Sequence, residues 1–414
     1  MHDASLITIL IFVISGLVCL NALSFYSERL MLFPSVIWVL FLGMLYGLMT
    51  HLGALDLPEL RLDPNMILFV LVPVLIFAAT KKMCLHLFRR VLRESSILAT
   101  AGIVISMCFV AGFFHGIFNI PFITALLFGV IVSATDPVAV SAILQEAEDL
   151  STAKKMLIEG ESILNDGFVV AIFATLAIMI FSTEEISLAL IGGKLVIQIV
   201  GALLLGIALG RAARFLLRIW PNEAPALTVN ITIALAFASF LFAETFHLPG
   251  ILAVFGAALA FGYRPDVHNA RVQDAQEKIW DYLEYIVNNI LFFLLGASFF
   301  SQASLEIITL SFVGLGVLML FSSRLLAISL LRPLLRIEKA KMTKQDFWIL
   351  NFAGSRGAIS IALMLLLPND FEYKSLFLTM TFVMVITSLV VYPLCLRKIL
   401  RTQPKAIGHG NKGR

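Results

Sequence analysis

Charge is what this sequence has little of. Asp, Glu, Lys and Arg make up 14% of its 414 residues, against about 25% in an ordinary soluble domain. Hydrophobic residues make up 60%, and the mean hydropathy is +0.96. Such a chain lacks the polar surface that a water-soluble fold of this size needs. Cysteine is scarce too: Cys19, Cys84, Cys108 and Cys395 lie far apart, without metal-ligand spacing or a disulfide framework. They read as small buried hydrophobes. No polar stretch is long enough to form an extramembrane domain, and the tail after Leu396 is too short to fold alone. The opening MHDASLITILIFVISG lacks the basic region of a cleaved signal peptide, so its apolar block is expected to stay as a span. No nucleophile–base set for an enzyme stands out. Nothing implies a resident cofactor, a nucleic acid or a soluble partner, and the expected surroundings are membrane lipids.

What is there comes in blocks. A helix of about 20 apolar residues crosses a bilayer, and about thirteen blocks qualify by length and hydropathy. They run over Leu6–Leu23, Leu30–Leu48, Asn65–Thr80, Ile97–Ile117, Phe122–Leu144, Met156–Phe181 and Ile186–Leu209. The series continues with Ala226–Phe242, Leu248–Phe261, Tyr282–Phe300, Ile307–Leu331, Phe347–Leu367 and Leu376–Leu396. The expected fold class is an all-α polytopic membrane protein, with residues 1–396 as one membrane domain and 397–414 as a short basic tail.

Loop charge sets the orientation, because basic residues gather on the cytoplasmic side of short loops. Lys81, Lys82, Arg89, Arg90 and Arg93 fill the third connection. Alternate connections agree: Lys154 and Lys155; Arg211, Arg214 and Arg218; Arg264, Arg271 and Lys278; Arg332, Arg336, Lys339, Lys341 and Lys344. The opposite loops carry Asp56, Glu59, Asp63, Glu184, Glu185, Glu306, Asp370 and Glu372. The N-terminus is thus expected outside and the C-terminus inside.

Two spans are interrupted. The fifth contains ATDPVAV, and Pro137 there removes a backbone donor and crowds the preceding turn. The twelfth contains AGSRGAIS, with Gly354, Arg356 and Gly357 well inside. With the seventh span set aside as a linker, the breaks fall at equivalent places in two inverted six-helix halves. Paired broken helices in inverted halves point to a transport site near the membrane midplane. Irregular backbone is tolerated at that depth where it is buried in protein or lines a wet cavity.

The sixth span opens with EGESILNDG, residues 159–167. On a helix, Ser162 and Asp166 share one face, and so do Glu161 and Asn165. With Asp136 of the broken fifth span, this gives two carboxylates, a hydroxyl and free carbonyls, a hard-oxygen set suited to a small cation. Two crowded acids hold a proton when no metal cation balances them. Protons and cation then compete for the same oxygens, which is enough for antiport if the site opens to one side at a time.

Buried arginines need partners. Arg324 in the eleventh span is assigned to Glu161. Arg356 is left with two roles, satisfying carbonyls of its own broken helix or adding to the local field. Structural readings stand beside these. Asp136 before Pro137 caps a half-helix, Ser162 bonds its own preceding turn, and Asn165 bridges helices. Glu159 reads as a first-turn carboxylate favoured by the helix dipole. Asn288 and Asn289 read as helix glue, Lys194 as a snorkelling side chain, and His115 as the deepest histidine.

ATDPVAVSAIL, EGESILNDG, AETFHLPGILAVFGAALAFG and GSRGAISIAL resemble the signatures of the monovalent cation/proton antiporter family, in its NhaP/NHE sodium–proton exchanger branch. The resemblance covers nearly all the span-bearing chain, in the same order. It implies a thirteen-helix NhaA-like fold. A core near 97–181 and 307–396 would move elevator-fashion against a dimerisation part near 6–80 and 186–300. By the same resemblance Asp136, Asp166, Ser162 and the main chain of Thr135 hold Na+. Asn165 with Asp166 matches the pair of the electroneutral branch, and Glu161 with Arg324 matches the structural ion pair. Arg356 supports the site. One departure is Ala78, in LVPVLIFAAT, where the family usually has an acid; Ser355 is a milder one.

The expected function is exchange of Na+ or Li+ for H+, one for one, in pH and sodium homeostasis, by a homodimer in a bacterial or archaeal cell membrane. K+/H+ exchange is the near alternative. A cation channel or membrane sensor is the alternative of another class, and the lack of a soluble output domain counts against the sensor.

Overall fold

A computed structural model describes residues 34–53, 59–147, 150–181, 188–219, 225–262, 270–337 and 340–401, most of them helical. The first apolar block, Leu6–Leu23, lies outside the described residues, as do Cys19, Asp56, Glu184, Glu185, Arg264, Lys339 and residues 402–414. Helices form where the sequence runs apolar, since backbone in hydrocarbon must satisfy its own N–H and C=O groups.

In chain order the helices are α1 (Ser35–His51), α2 (Val72–Lys82), α3 (Leu85–Phe118), α4 (Phe122–Ile131) and α5 (Val138–Glu146). Then come α6 (Thr152–Phe181), α7 (Leu188–Ile219), α8 (Pro225–Thr245), α9 (Gly250–Gly262) and α10 (Ala270–Gln302). The last are α11 (Leu310–Leu331), α12 (Lys344–Ala353), α13 (Ala358–Leu365) and α14 (Lys374–Arg401). Among the described residues, seven helices are long and apolar enough to cross a membrane, and the bent pair α12–α13 makes an eighth. The apolar helices α1, α4 and α9 are shorter and coincide with the second, fifth and ninth sequence blocks.

Several segments read as basic loops are helical instead, Lys154 and Lys155 at the start of α6 among them. α3 starts at Leu85 and carries Arg89, Arg90 and Arg93 on its exposed face, with Phe88 and Val91 buried beneath. α7 runs on through Arg211, Arg214 and Arg218, and α10 starts early enough to carry Arg271 and Lys278. Hydropathy marks only the apolar slab, whereas Arg and Lys are good helix formers and extend the helices past it. Arg336–Ile337 and Ala340–Lys341 pair as a two-residue antiparallel ladder, a small exception to an all-helical fold. The cysteines also differ from expectation. Cys84 and Cys108 are exposed and Cys395 is half-buried, Cys108 on an outer face of α3. His115 is exposed near the end of α3 rather than deep.

Among the described residues three helix pairs meet backbone to backbone at a glycine, one of them where Gly129 of α4 lies against the Met107 carbonyl of α3. Gly43 and Gly47 of α1 lie against the carbonyls of Phe293 and Ala297 of α10, and Gly296 returns the contact against Leu40. Gly206 and Gly210 of α7 meet Ala253 and Ala257 of α9 in the same way. In lipid, burying apolar surface gives no drive for helices to associate, so close packing of small residues does that work.

The two breaks position the site. α4 ends at Ile131 and α5 starts at Val138, with Pro137 just ahead of it as the sequence predicts. Residues 354–357 separate α12 from α13, and the pair bends by 42°. α6 runs unbroken past both, and Lys154 near its start bridges Asp346 of α12 at 2.6 Å. Before α2, Pro73 has no N–H for the Phe69 carbonyl, and the helix widens over Met66–Leu71. This widened turn faces the site.

Candidate ion-binding site

The two breaks touch directly. The Asp136 N–H donates to the Ser355 carbonyl at 2.7 Å, and the Ser355 hydroxyl donates to the Asp136 carbonyl at 2.5 Å. Gly357 makes the crossing possible, because a Cβ there would collide with the Asp136 side chain. Each half-helix end needs its own compensation, since the last carbonyls and first N–H groups have no partner within the helix. Arg356 supplies the α4 end, donating from Nη1 to the carbonyls of Ser133 at 2.7 Å and Ala134 at 3.3 Å. Ser360 adds a hydroxyl donor to Ile131 O at 2.8 Å. Arg324 supplies the α12 end through Nη2 to Leu350 O at 3.1 Å. At the start of α5, Asp136 Oδ1 accepts from Val138 N–H at 2.9 Å. Cations thus meet C-terminal ends and a carboxylate meets an N-terminal one, the arrangement that helix dipoles favour.

Along α6, Glu161, Ser162, Asn165 and Asp166 of EGESILNDG are all buried, and each has different surroundings. Glu161 takes both Arg324 Nη atoms, at 2.8 and 3.0 Å, in a bidentate pair with almost no exposure. Ser162 Oγ accepts from Thr135 Oγ1 at 3.3 Å. Asn165 Oδ1 has no hydrogen-bond partner among the described residues. Asp166 lines a cavity of about 60 Å³ together with Asp136, Thr135 and Gly357. Its other walls are apolar and include Ile67 of the widened turn, Val72, Leu75 and Ala79 of α2, and Ile163. Two acidic side chains on separate elements, facing one small cavity with few other polar groups, can hold a cation or a proton.

The structure therefore brings Asp136, Asp166 and Thr135 to one cavity and sets Ser162 behind Thr135. Glu161 and Arg324 pair as the sequence reading assigned. Arg356 departs from it: the carbonyls it satisfies belong to the other broken span, since α4 leaves Ser133 and Ala134 free beside it. Glu159 stands seven residues beyond the start of α6, not in its first turn, because the helix begins at Thr152. Ala78 is buried, and the neighbouring Ala79 lines the cavity. Sequence reasoning noted Ser355 only as a departure from the family pattern and passed over Ser360 and Ser388, the latter with a hydroxyl that accepts from the Arg356 N–H at 2.8 Å. The signal for Ser355 and Ser360 was serine beside a break in an apolar span, where free backbone groups must find partners; Ser388 lies inside the unbroken α14 and carried no such signal.

Crossed broken helices with paired acids at their contact define a membrane transport protein for a small ion. Residues 7–402 match the family described as sodium/hydrogen exchanger, transmembrane, and the chain belongs to that family. It is similar to the Na+/H+ antiporter NhaH of Halobacillus aidingensis, 26% identical over 97% of this chain and 98% of the relative. It is also similar to the Na+/H+ antiporter NhaP of Pseudomonas aeruginosa, 28% identical over 92% and 93%. Its fold resembles the sodium proton antiporter MjNhaP1 of Methanocaldococcus jannaschii, with a TM-score of 0.71 over 96% of each chain at 18% identity. The protein is an integral membrane transporter of a kind found in bacteria and archaea, not an enzyme.

Proposed function

We propose that this protein exchanges Na+ or Li+ for H+, one for one, at a site formed by Asp136 and Asp166 with Thr135 and Ser162. The observation that carries the reading is that both acids line one cavity at the crossing of the two breaks. Charge supports the stoichiometry. Glu161 and Arg324 cancel, and Arg356 offsets one of the two acids, which leaves a single negative charge for one alkali ion or one proton to balance. The protein has thirteen crossings in two inverted halves, N-terminus outside. The ends of α2 and α5 and the start of α1, which loop charge puts on the cytoplasmic side, gather with Glu159 of α6 round one cavity. That convergence supports the orientation.

Residues near 97–181 and 307–396 move as the ion-bearing core, elevator-fashion, against 6–80 and 186–300, which also form the homodimer contact. α7 supports this division, being the least covered of the seven long helices, with Val196, Ile197, Val200 and Leu204 exposed. The role is sodium and pH homeostasis. The test is proton movement in proteoliposomes on adding Na+, Li+ or K+, with and without a membrane potential. Na+ and Li+ should collapse a pH gradient regardless of potential, and Asp166→Asn should abolish the effect. A response to K+ alone makes it a K+/H+ exchanger, and currents uncoupled from protons make it a channel.

A further inference from the structure

A second cavity, of about 270 Å³, adjoins the first, and both have Leu75, Ala79, Pro137, Val138 and Ile163 in their walls. On the transport reading above, it is the vestibule through which an ion from that side would reach Asp136 and Asp166. Its charged lining is Glu159 of α6, Asp281 and Glu284 of α10, and Lys82 at the end of α2. The Lys82 ammonium lies 2.9 Å from the Asp281 carboxylate and 2.7 Å from that of Glu284. Both pairs are partly exposed, and such bridges contribute little to stability. What they do change is the field. Three carboxylates and one ammonium leave the vestibule at −2, and without the lysine it would stand at −3. A cleft with low-dielectric walls focuses such a field on whatever ion enters. Glu159 and Asp166 are seven residues apart on one helix, about 10 Å at 1.5 Å per residue. That is roughly one Debye length in physiological salt, so charge in the vestibule is felt at the site.

We propose that Lys82 is a tethered cation that sets how readily alkali ions enter. It occupies the first carboxylates an incoming ion would meet and holds the apparent affinity below what those acids alone would give. The inference rests on the transport reading above and names a residue outside the ion site that tunes it.

The test compares wild type with Lys82→Gln, Lys82→Arg and the double variant Asp281→Asn/Glu284→Gln. Na+-dependent proton movement is measured in proteoliposomes at low ionic strength and with added choline chloride. A unit charge at roughly 10 Å, in an effective dielectric of about 40 to 80, corresponds to a factor of about two to four in KM. Lys82→Gln should lower the KM for Na+ by that factor in low salt and converge on wild type in high salt. Lys82→Arg should match wild type, and the double variant should raise KM. The same order should hold for Na+-induced protection against heating in detergent, a readout that needs no turnover. Failure of wild type to move protons with any cation therefore sinks the transport reading, while the protection series still judges Lys82. A KM unchanged in Lys82→Gln, or lost heat stability at constant KM, would make the lysine only a brace between α2 and α10 and overturn the proposal.

Discussion

Where α1 crosses α10, Gly43, Gly47 and Gly296 let one backbone rest directly on another, each glycine against a main-chain carbonyl. Where α4–α5 crosses α12–α13, backbones also meet, but each contact is a hydrogen bond or a charge: Asp136 with Ser355, Arg356 with Ser133, Ser360 with Ile131. The first contact is steric and indifferent to protonation or bound ions. The second is electrostatic, and its strength depends on what sits beside it. A protein that must hold a frame while a site changes its charge gains from using the two chemistries in different places. The arginines also explain why the breaks survive in hydrocarbon. Arg324 and Arg356 take up the free carbonyls, which leaves Asp136 and Asp166 as the carboxylates that lack a basic partner among the hydrogen bonds at the crossing.

The sharpest way to break this comparison is to strip a charge from the ionic crossing. Arg324→Met leaves Glu161 buried without its counter-ion and the Leu350 carbonyl without a donor. Removing one partner of a buried pair costs about 3–5 kcal/mol, so thermal unfolding in detergent should begin far below that of wild type. The double variant Glu161→Leu/Arg324→Met should recover most of the loss, since apolar replacement of a whole buried pair is often neutral. A single variant as stable as wild type would mean that the crossing is held by packing alone and that the contrast with α1–α10 is false.

Much of this was legible in residues. Pro137 and the Gly354–Gly357 stretch announced the breaks, because an apolar span has few reasons to carry them. EGESILNDG announced its acids, because ionised groups at that depth need partners. The Glu161–Arg324 pair followed from having two opposite charges on buried spans. Arg356 was harder. Sequence showed that carbonyls at both breaks needed donors but not that the two breaks interlock, so its partners on α4 came only with the three-dimensional arrangement. The basic helical extensions of α3, α7 and α10 were missed for another reason: hydropathy measures fit to lipid, and helix continues wherever propensity and packing allow. The second cavity was likewise invisible, since Lys82, Glu159, Asp281 and Glu284 are spread over three helices far apart in the chain.

A smaller effect sharpens the steric side. At Gly47 a Cβ would strike the Ala297 carbonyl, and backbone cannot step aside as a side chain would. Gly47→Ala should cost about 1–3 kcal/mol, the usual range for overpacking, and should do so equally at every Na+ concentration and pH. A loss that Na+ reverses would tie α1–α10 to the ion site and blur the division drawn above.

The smallest expected effect concerns Thr135, the one hydroxyl-bearing residue of the break among those that line the cavity. That hydroxyl is turned toward Ser162, at a long 3.3 Å, so a cation beside Asp136 and Asp166 would meet the Thr135 main chain instead. Thr135→Val keeps the shape and removes only the hydroxyl. The KM for Na+ in proteoliposomes should then stay within about twofold of wild type, well under the 1.4 kcal/mol that a tenfold change represents. A tenfold rise would assign the side chain as a ligand, with Ser162 orienting it. The ionic crossing would then reach one layer deeper into α6 than the backbone contacts between the two breaks.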